Sequence, residues 1–265
     1  MYMSSTIGLA IITCEREKFL KKLLKSINKC DYVDHVVIVN DGNYPLKINT
    51  KHDMIHPGKH SGVAKAKNAG LKHLMEAGCD HLFLMEDDMV VKDKEVFNKY
   101  IDMSKRTGIQ HLNFCLHGED NKRMGEPAPK LIVDYGDTRL ALYHNVYGSL
   151  SYYTREVIDT VGYMDEEYYN AMEHVDHTMA IIKAGYHPAF RWFADLEDSN
   201  KLIDEQDTEH QESKIRSDSE WLENFKKGIK LFHDKYDVNV CSPQQAVEPK
   251  QQVLEQLKTI KNESC

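Results

Sequence analysis

Leu82-Phe83-Leu84-Met85-Glu86-Asp87-Asp88-Met89-Val90-Val91 is the stretch whose reading decides the fold. A short apolar run closed by three adjacent acids reads as a buried strand that delivers carboxylates to its C-terminal end. An ionised carboxyl at the rim of a core has to be paired or metal-bound, because taking it out of water is costly. Hard cations such as magnesium or manganese take oxygen ligands and keep places for water and substrate phosphates. A solvated acidic turn would explain the same letters, so the neighbouring sequence has to decide between them.

Working outward, Ile7-Gly8-Leu9-Ala10-Ile11-Ile12 is another continuous apolar run, followed by Phe19, Leu20, Leu23, Leu24 and Ile27 at helical spacing. Val36–Val39 is a second short strand, and Asn40-Asp41-Gly42-Asn43 is a strong turn signal after it. Strand, helix, strand is a unit of parallel sheet. The pattern repeats with a helix from Gly62 to Ala77 and a strand from Asp80 to Met85 that ends in the acids. Ligands of open α/β sheets bind outside the carboxyl ends of the strands, so the loops at Thr13–Arg16, Asn40–Asn43 and Glu86–Asp88 should line one crevice. Beyond it the spacing predicts a helix over Glu95–Lys105, strands over Gln110–Leu116, Lys130–Val133, Arg139–Tyr147 and 187–193, and helices over Glu156–Val161, Ala171–Ala184 and Trp221–Tyr236. The polar segments 118–129 and 195–218 are candidate lids.

Composition narrows the classes. With 41% hydrophobic and 29% charged residues, the chain of 265 residues has the make-up of a folded globular protein. Its 42 acids against 34 Lys plus Arg give a net charge of −8, which disfavours nucleic acid as an acceptor without removing a local basic groove such as Lys18, Lys21, Lys22 and Lys25. No apolar run reaches the length of a membrane span, and Met1–Ile7 lacks the layout of a signal peptide. The six cysteines are scattered without metal-ligand spacing and are expected as reduced thiols in a cytoplasmic protein. Residues 1–242 are expected to form one domain, with 1–90 and 110–200 as its two halves. Residues 243–265 are expected as a loosely attached helix or disordered tail.

Five pieces in order carry a resemblance: Ile11–Arg16, Val37–Asn43, Gly62–Gly70, Leu84–Asp88, and Gly162–Glu166 followed by Met172–Asp176. Together they resemble family 2-type glycosyltransferases of the GT-A fold, over roughly residues 5–190. The resemblance implies a Rossmann-like, mostly parallel α/β sheet flanked by helices, with a smaller acceptor-side region. It implies transfer of a sugar from a nucleotide-sugar, a UDP-sugar by preference, to an acceptor hydroxyl with inversion. A Mn2+ or Mg2+ ion would act as Lewis acid on the leaving diphosphate. Asp88 and Glu86 hold the ends of the D-x-D pattern as metal ligands, Glu86 departing from it; Asp87 points to the other side and is grouped with the donor-binding residues. Thr13 and Glu15 are implied at base or ribose, Asn40 or Asp41 at the base edge, and Lys67, with Lys65 nearby, at diphosphate or base. Asn40 and Lys67 stand where the family has Asp and Arg. The catalytic base lies among Glu173, His174 and Asp176; imidazole titrates near neutrality and suits the task. Asp195 is the first choice for a third metal ligand, with His187 and His210 behind it, and Trp192 and Tyr169 could stack on a sugar. The acceptor could be a glycan, a metabolite, a protein or a modified base. The rival readings are a sugar-phosphate nucleotidyltransferase, against which the glycine-free Thr13–Arg16 turn speaks, and a non-catalytic binding module of the same fold.

Overall fold

Strand β1 (Ile7–Thr13), helix α1 (Glu17–Ile27) and strand β2 (His35–Asn40) form the expected parallel unit, and β3 (Asp53–Ile55) extends it at one edge. Helix α2 (Val63–Glu76) leads to β4 (His81–Glu86), which pairs in parallel with β1 on its other side. The chain then passes through β5 (Met89–Val91), α3 (Val96–Thr107) and β6 (His111–Asn113). A short hairpin, β7 (Lys122–Arg123) and β8 (Glu126–Pro127), lies inside the segment expected as a loop. After it come β9 (Leu131–Asp134), β10 (Arg139–Tyr143), β11 (Leu150–Thr154), α4 (Arg155–Val161) and α5 (Glu173–Lys183). The remaining elements are β12 (Phe193–Leu196), α6 (Ser199–Leu202), β13 (Ile203–Glu205), α7 (Trp221–Tyr236) and α8 (Lys250–Glu263). This computed structural model describes residues 5–206, 216, 217, 219–241 and 247–263.

The central sheet has six strands in the order β3-β2-β1-β4-β11-β6, parallel from β3 to β4 and antiparallel through β11. Alternation along its strands explains why the apolar runs are continuous. Leu9, Ile11, Ile38, Phe83 and Met85 enter one hydrophobic core with Leu20, Leu23 and Ile27 of α1. Ala10, Ile12, Val37, Val39, Leu82 and Leu84 enter a second core with Leu71 and Leu74 of α2. Both faces are covered, so neither set of alternate residues can be polar. Helix α2 lies close to the sheet at Gly70, where a Cβ would come within 2.7 Å of the Ala10 Cβ. β1 is the switch point of the sheet, with β2 and β4 on either side, and the crevice opens at their carboxyl ends.

Three readings of the sequence differ from the structure. The expected strand Arg139–Tyr147 stops at Tyr143, and Leu150–Thr154 makes a separate strand of the main sheet after the Gly148-Ser149 break. The expected strand over 187–193 begins only at Phe193, because Pro188 has no N–H to give a ladder. Segment 195–218 is not featureless: it carries α6 and β13, the latter paired with β5 next to the acid triplet; residues 207–215 and 218 lie outside the described residues. The described cysteines are free thiols, and among the described residues no helix is long and apolar enough to cross a membrane.

Within the stretch read as a loose tail, α8 buries Val253, Leu257 and Ile260 in the same core as α3. Their spacing of four and three residues is one helical stripe in a segment whose Gln, Glu and Lys content masks it. Trp192 Nε1 donates to Glu248 O at 3.0 Å and Ala189 N to Gln256 Oε1 at 3.1 Å, tying this segment to the body. Leu257 is 2% exposed, so Leu257→Ala should lower the unfolding free energy by about 2–5 kcal/mol, measured by denaturant titration.

Candidate active site

The three strand ends do converge. A cavity of about 60 Å3 is lined by Thr13, Cys14 and Arg16 from the end of β1, Asp41 after β2, Glu86 from β4, and Tyr169 across from them. A wider one of about 340 Å3 adjoins it through Cys14, Arg16 and Glu86 and is lined further by Asp88, His117, Glu173 and His174. Two residues nearby have left-handed backbones without being glycine: Met172 (φ 74°), which lines it at the start of α5, and Glu15 (φ 56°), between the lining residues Cys14 and Arg16. Such conformations are kept only where surrounding structure imposes them.

Lys67 Nζ holds the acid strand against α5. It lies 3.0 Å from Glu86 Oε1, 2.9 Å from Glu173 Oε1 and 3.0 Å from Gly148 O, and the side chain is 1% exposed. An ammonium has three N–H donors, and all three are taken. Burial works against the charged lysine, but Glu173 and Glu86 outweigh it and hold its pKa above the ordinary range. Burial likewise opposes ionisation of Glu173, yet Lys67 and His174 hold its carboxyl well below the usual carboxylate range. A Cβ on Gly148 would overlap Lys67 Nζ, which explains a glycine there.

Arg16 plays the matching part at the other end of the triplet. Its guanidinium pairs with Asp87, and Nη1 lies 3.2 Å from Asp88 Oδ2. Asp87 is fully buried and also accepts from Thr13 Oγ1 at 2.5 Å. Asp88 differs: its Oδ1 is buried without a hydrogen-bond partner, in a residue that lines the wider cavity. Burial and then Glu86 push the Asp88 pKa up, with Arg16 and His117 pulling against them. Four carboxyl groups (Glu86, Asp87, Asp88, Glu173) face two cations (Arg16, Lys67), and burial pushes the Asp87 pKa up to about 7. A buried carboxyl oxygen without a donor and an excess of acids over resident cations fit a divalent cation at Asp88 and Glu86. Among the described residues no group of three or more His, Cys, Asp or Glu is gathered as a complete metal site, so other ligands would come from substrate oxygens and water.

His174 Nδ1 lies 3.1 Å from Glu173 Oε1, and the ring lines the wider cavity with its Nε2 making no hydrogen bond among the described residues. An imidazole oriented by a carboxylate in the wall of a cavity, with its second nitrogen not engaged in a hydrogen bond, is suited to act as a general base.

Several other residues named from the sequence have different work. Asn40 is spent on its own turn, Nδ2 donating to Tyr44 O at 2.8 Å and Oδ1 accepting from Gly42 N at 3.0 Å. Glu15 Oε1 accepts from Asn43 N at 3.0 Å and closes the same turn from outside the cavities. Asp41 lines the smaller cavity, but both its oxygens accept from the start of α2, Oδ1 from Ser61 and Oδ2 from Gly62 N. Thr13 lines that cavity while its hydroxyl is committed to Asp87. Lys67 and Asp87, expected at the donor, are buried behind the cavities with their polar atoms paired; Lys65 is exposed outside them. Asp176 faces away from the cavities and pairs with Lys235 of α7 at 2.8 Å, accepting also from Tyr168 OH, which removes it as the base.

Asp195 is corrected as a metal ligand. It is fully buried and accepts from Tyr100 OH, Cys115 N, Leu196 N and Ser199 Oγ at 2.7–2.9 Å, so no lone pair is aimed at the cavity. His187 bonds Pro188 O and Ala194 N within the core, and His210 lies outside the described residues. Trp192 is 3% exposed and packs on His144. Tyr169 lines the smaller cavity, its hydroxyl donating to His60 O.

Two contributors were missed. Arg16 was read only as a motif letter, because its reach to a strand 70 residues on is a tertiary fact. His117, 3.4 Å from Glu205 Oε2 and lining the wider cavity, follows the strand-like 110–116; the strand-end rule that found Asp88 would have found it too. Replacing Lys67 with Met would leave Glu86 and Glu173 buried without their cation. Lys67→Met should therefore cost about 3–5 kcal/mol of stability, read from denaturant unfolding.

The model of the family described as Glycosyl transferase family 2 matches residues 9–162. A search of curated protein sequences returned no match. Among solved structures, GalNAc-T7 with UDP, GalNAc and Mn2+ aligns with TM-score 0.51 at 13% identity, over 67% of this chain and 40% of that one. A Drosophila β-1,4-galactosyltransferase 7 variant with manganese, UDP-Gal and xylobiose aligns with TM-score 0.50 at 12% identity, over 79% and 74%. A fragment of S. aureus TarS gives TM-score 0.48 at 17% identity, over 66% of this chain and 55% of its own, so the chain spans about half the length of that structure. With the family model matching more than half of its length, the chain belongs to glycosyl transferase family 2.

Proposed function

We propose that the protein transfers a sugar from a nucleotide-sugar to an acceptor hydroxyl, with inversion at the anomeric carbon and with a divalent metal. The observation that carries this reading is that Asp88, with its donorless Oδ1, and the Glu173–His174 pair open into one cavity. The acceptor hydroxyl would give its proton to His174 Nε2 as its oxygen attacks the anomeric carbon. The bond to the diphosphate breaks on the opposite face, and the nucleoside diphosphate leaves with the electron pair. Glu173 keeps the Nδ1 proton side of the ring fixed and stabilises the imidazolium; it stays ionised because Lys67 is against it, so it orients rather than accepts. Asp88 and Glu86 would hold Mn2+ or Mg2+, which supplies charge neutralisation of the leaving diphosphate. Arg16, between the two cavities, is suited to the diphosphate oxygens at their edge.

The smaller cavity, with Thr13, Asp41 and Tyr169, suits the nucleoside. Uridine is the favoured base: the GalNAc-T7 and galactosyltransferase 7 structures hold UDP or UDP-Gal with manganese. Magnesium is the other cation to test.

Melting temperatures with a panel of UDP- and GDP-sugars, with and without manganese, test donor and metal together. One UDP-sugar should raise the melting temperature only when manganese is present, and Asp88→Asn should abolish that increment. The same dependence on a GDP-sugar would replace the donor, and a shift indifferent to manganese would remove the metal. In the second test, His174→Gln should keep the nucleotide-dependent shift and lose about 100-fold or more in donor hydrolysis. Undiminished hydrolysis would take the base away from His174.

A further inference from the structure

The wide cavity has two unlike kinds of lining. Glu86, Asp88, Glu173 and His174 are polar, and α7 adds an aromatic wall. There Trp221 and Phe225, one helical turn apart, stack with ring centroids 5.4 Å apart and planes 9° from parallel. Arg216 Cζ lies 5.9 Å over the Trp221 ring, and both aromatic residues line the cavity. Helix α7 gives Phe232 to the main core, with Ile229 and Tyr236 packed beside it, whereas Trp221 and Phe225 belong to neither core. Large aromatic rings normally justify themselves by burial. Here the first turn of the helix holds two of them together at a cavity wall instead.

We propose that Trp221 and Phe225 form the acceptor subsite and that it takes a pyranose ring, so that the acceptor is itself a carbohydrate. This rests on the transferase reading above and names the acceptor class for it. A pyranose has a face of C–H groups that packs on an aromatic surface and a rim of hydroxyls that needs polar partners. The cavity offers the same division: an aromatic wall at α7 and, in the same lining, the His174 whose Nε2 would deprotonate one rim hydroxyl. An aliphatic peptide or metabolite hydroxyl would have no use for a paired aromatic wall in the same cavity as the base. The volume of about 340 Å3 accommodates one sugar ring of the acceptor beside the transferred sugar.

Saturation-transfer NMR with methyl glucoside, galactoside, mannoside and N-acetylglucosaminide and the matching disaccharides tests this on the full chain, with and without UDP and manganese. Benzyl alcohol and a serine-containing peptide serve as non-carbohydrate probes. At least one glycoside should bind the wild type, at least tenfold more weakly to Trp221→Ala and Phe225→Ala, and within about twofold of wild type to Phe225→Tyr. Absence of binding by every glycoside, binding untouched in both alanine variants, or variant-sensitive binding of the peptide or the alcohol alone would overturn the proposal. The UDP–manganese melting shift of the wild type is recorded alongside. If that shift is present while no glycoside binds, the acceptor assignment has failed and the donor reading stands. If it is absent while a glycoside binds through the aromatic pair, the failure lies with the donor reading.

Discussion

Everything at the crevice depends on one buried ammonium. Lys67 projects from α2 between the end of β4 and the start of α5, elements that approach each other only in the folded chain. Its three donors meet Glu86, Glu173 and the Gly148 carbonyl, so it fixes the acid triplet, the start of α5 and the β10–β11 connection with a single side chain. The geometry leaves little latitude, since a Cβ at Gly148 would collide with it. A planar guanidinium would spread five donors over a wider fork, whereas an ammonium fits three converging acceptors at a point. Glu173 is thereby kept anionic, with the His174 ring 3.1 Å from its Oε1.

The frame of the molecule was legible in the sequence for a simple reason. β1, β2 and β4 are covered on both faces, and only apolar residues satisfy two cores at once. Their lengths, the helices between them and the convergence of their carboxyl ends follow from that pattern. β11 was not legible, because Leu150-Ser151-Tyr152-Tyr153-Thr154 has no such run; it earns its place through pairing with β4 and β6 on either side. The docking of α8 was hidden differently, with only Val253, Leu257 and Ile260 marking the buried stripe in a polar helix.

Site residues were legible by type and much less by role. Asp88 and Asp195 are the same letter at the end of comparable apolar segments. One has an oxygen without a donor beside a cavity, and the other has four donors inside the core. Local sequence does not distinguish them fully, because two of those four donors, Tyr100 and Cys115, come from far away in the chain. The same holds for Asn40, Glu15 and Asp41. Each was read as facing a ligand, and each spends its hydrogen bonds on holding a loop: Asn40 its own turn, Glu15 the Asn43 turn, Asp41 the start of α2. Short polar side chains at turns satisfy nearby backbone groups first, and only what is left over can address a substrate.

That competition explains the economy of the crevice. With most of the polar residues at the strand ends committed to one another, few side-chain atoms of the described residues lining the wider cavity are left without a partner, Asp88 Oδ1, Glu173 Oε2 and Ser149 Oγ among them. The β1–α1 turn divides the space, since Cys14 and Arg16 line both cavities and Glu15 between them is held in a left-handed conformation. On the reading proposed, the nucleoside lies on one side of it, the reacting sugar on the other, and the diphosphate crosses beside Arg16. The four carboxyl groups of the acid cluster outnumber the two cations, Arg16 and Lys67, that hold them. A third resident cation would stabilise the empty protein but would leave less for a metal–diphosphate to complete. On the reading proposed, that excess of acids would make donor binding and neutralisation of the cluster the same event.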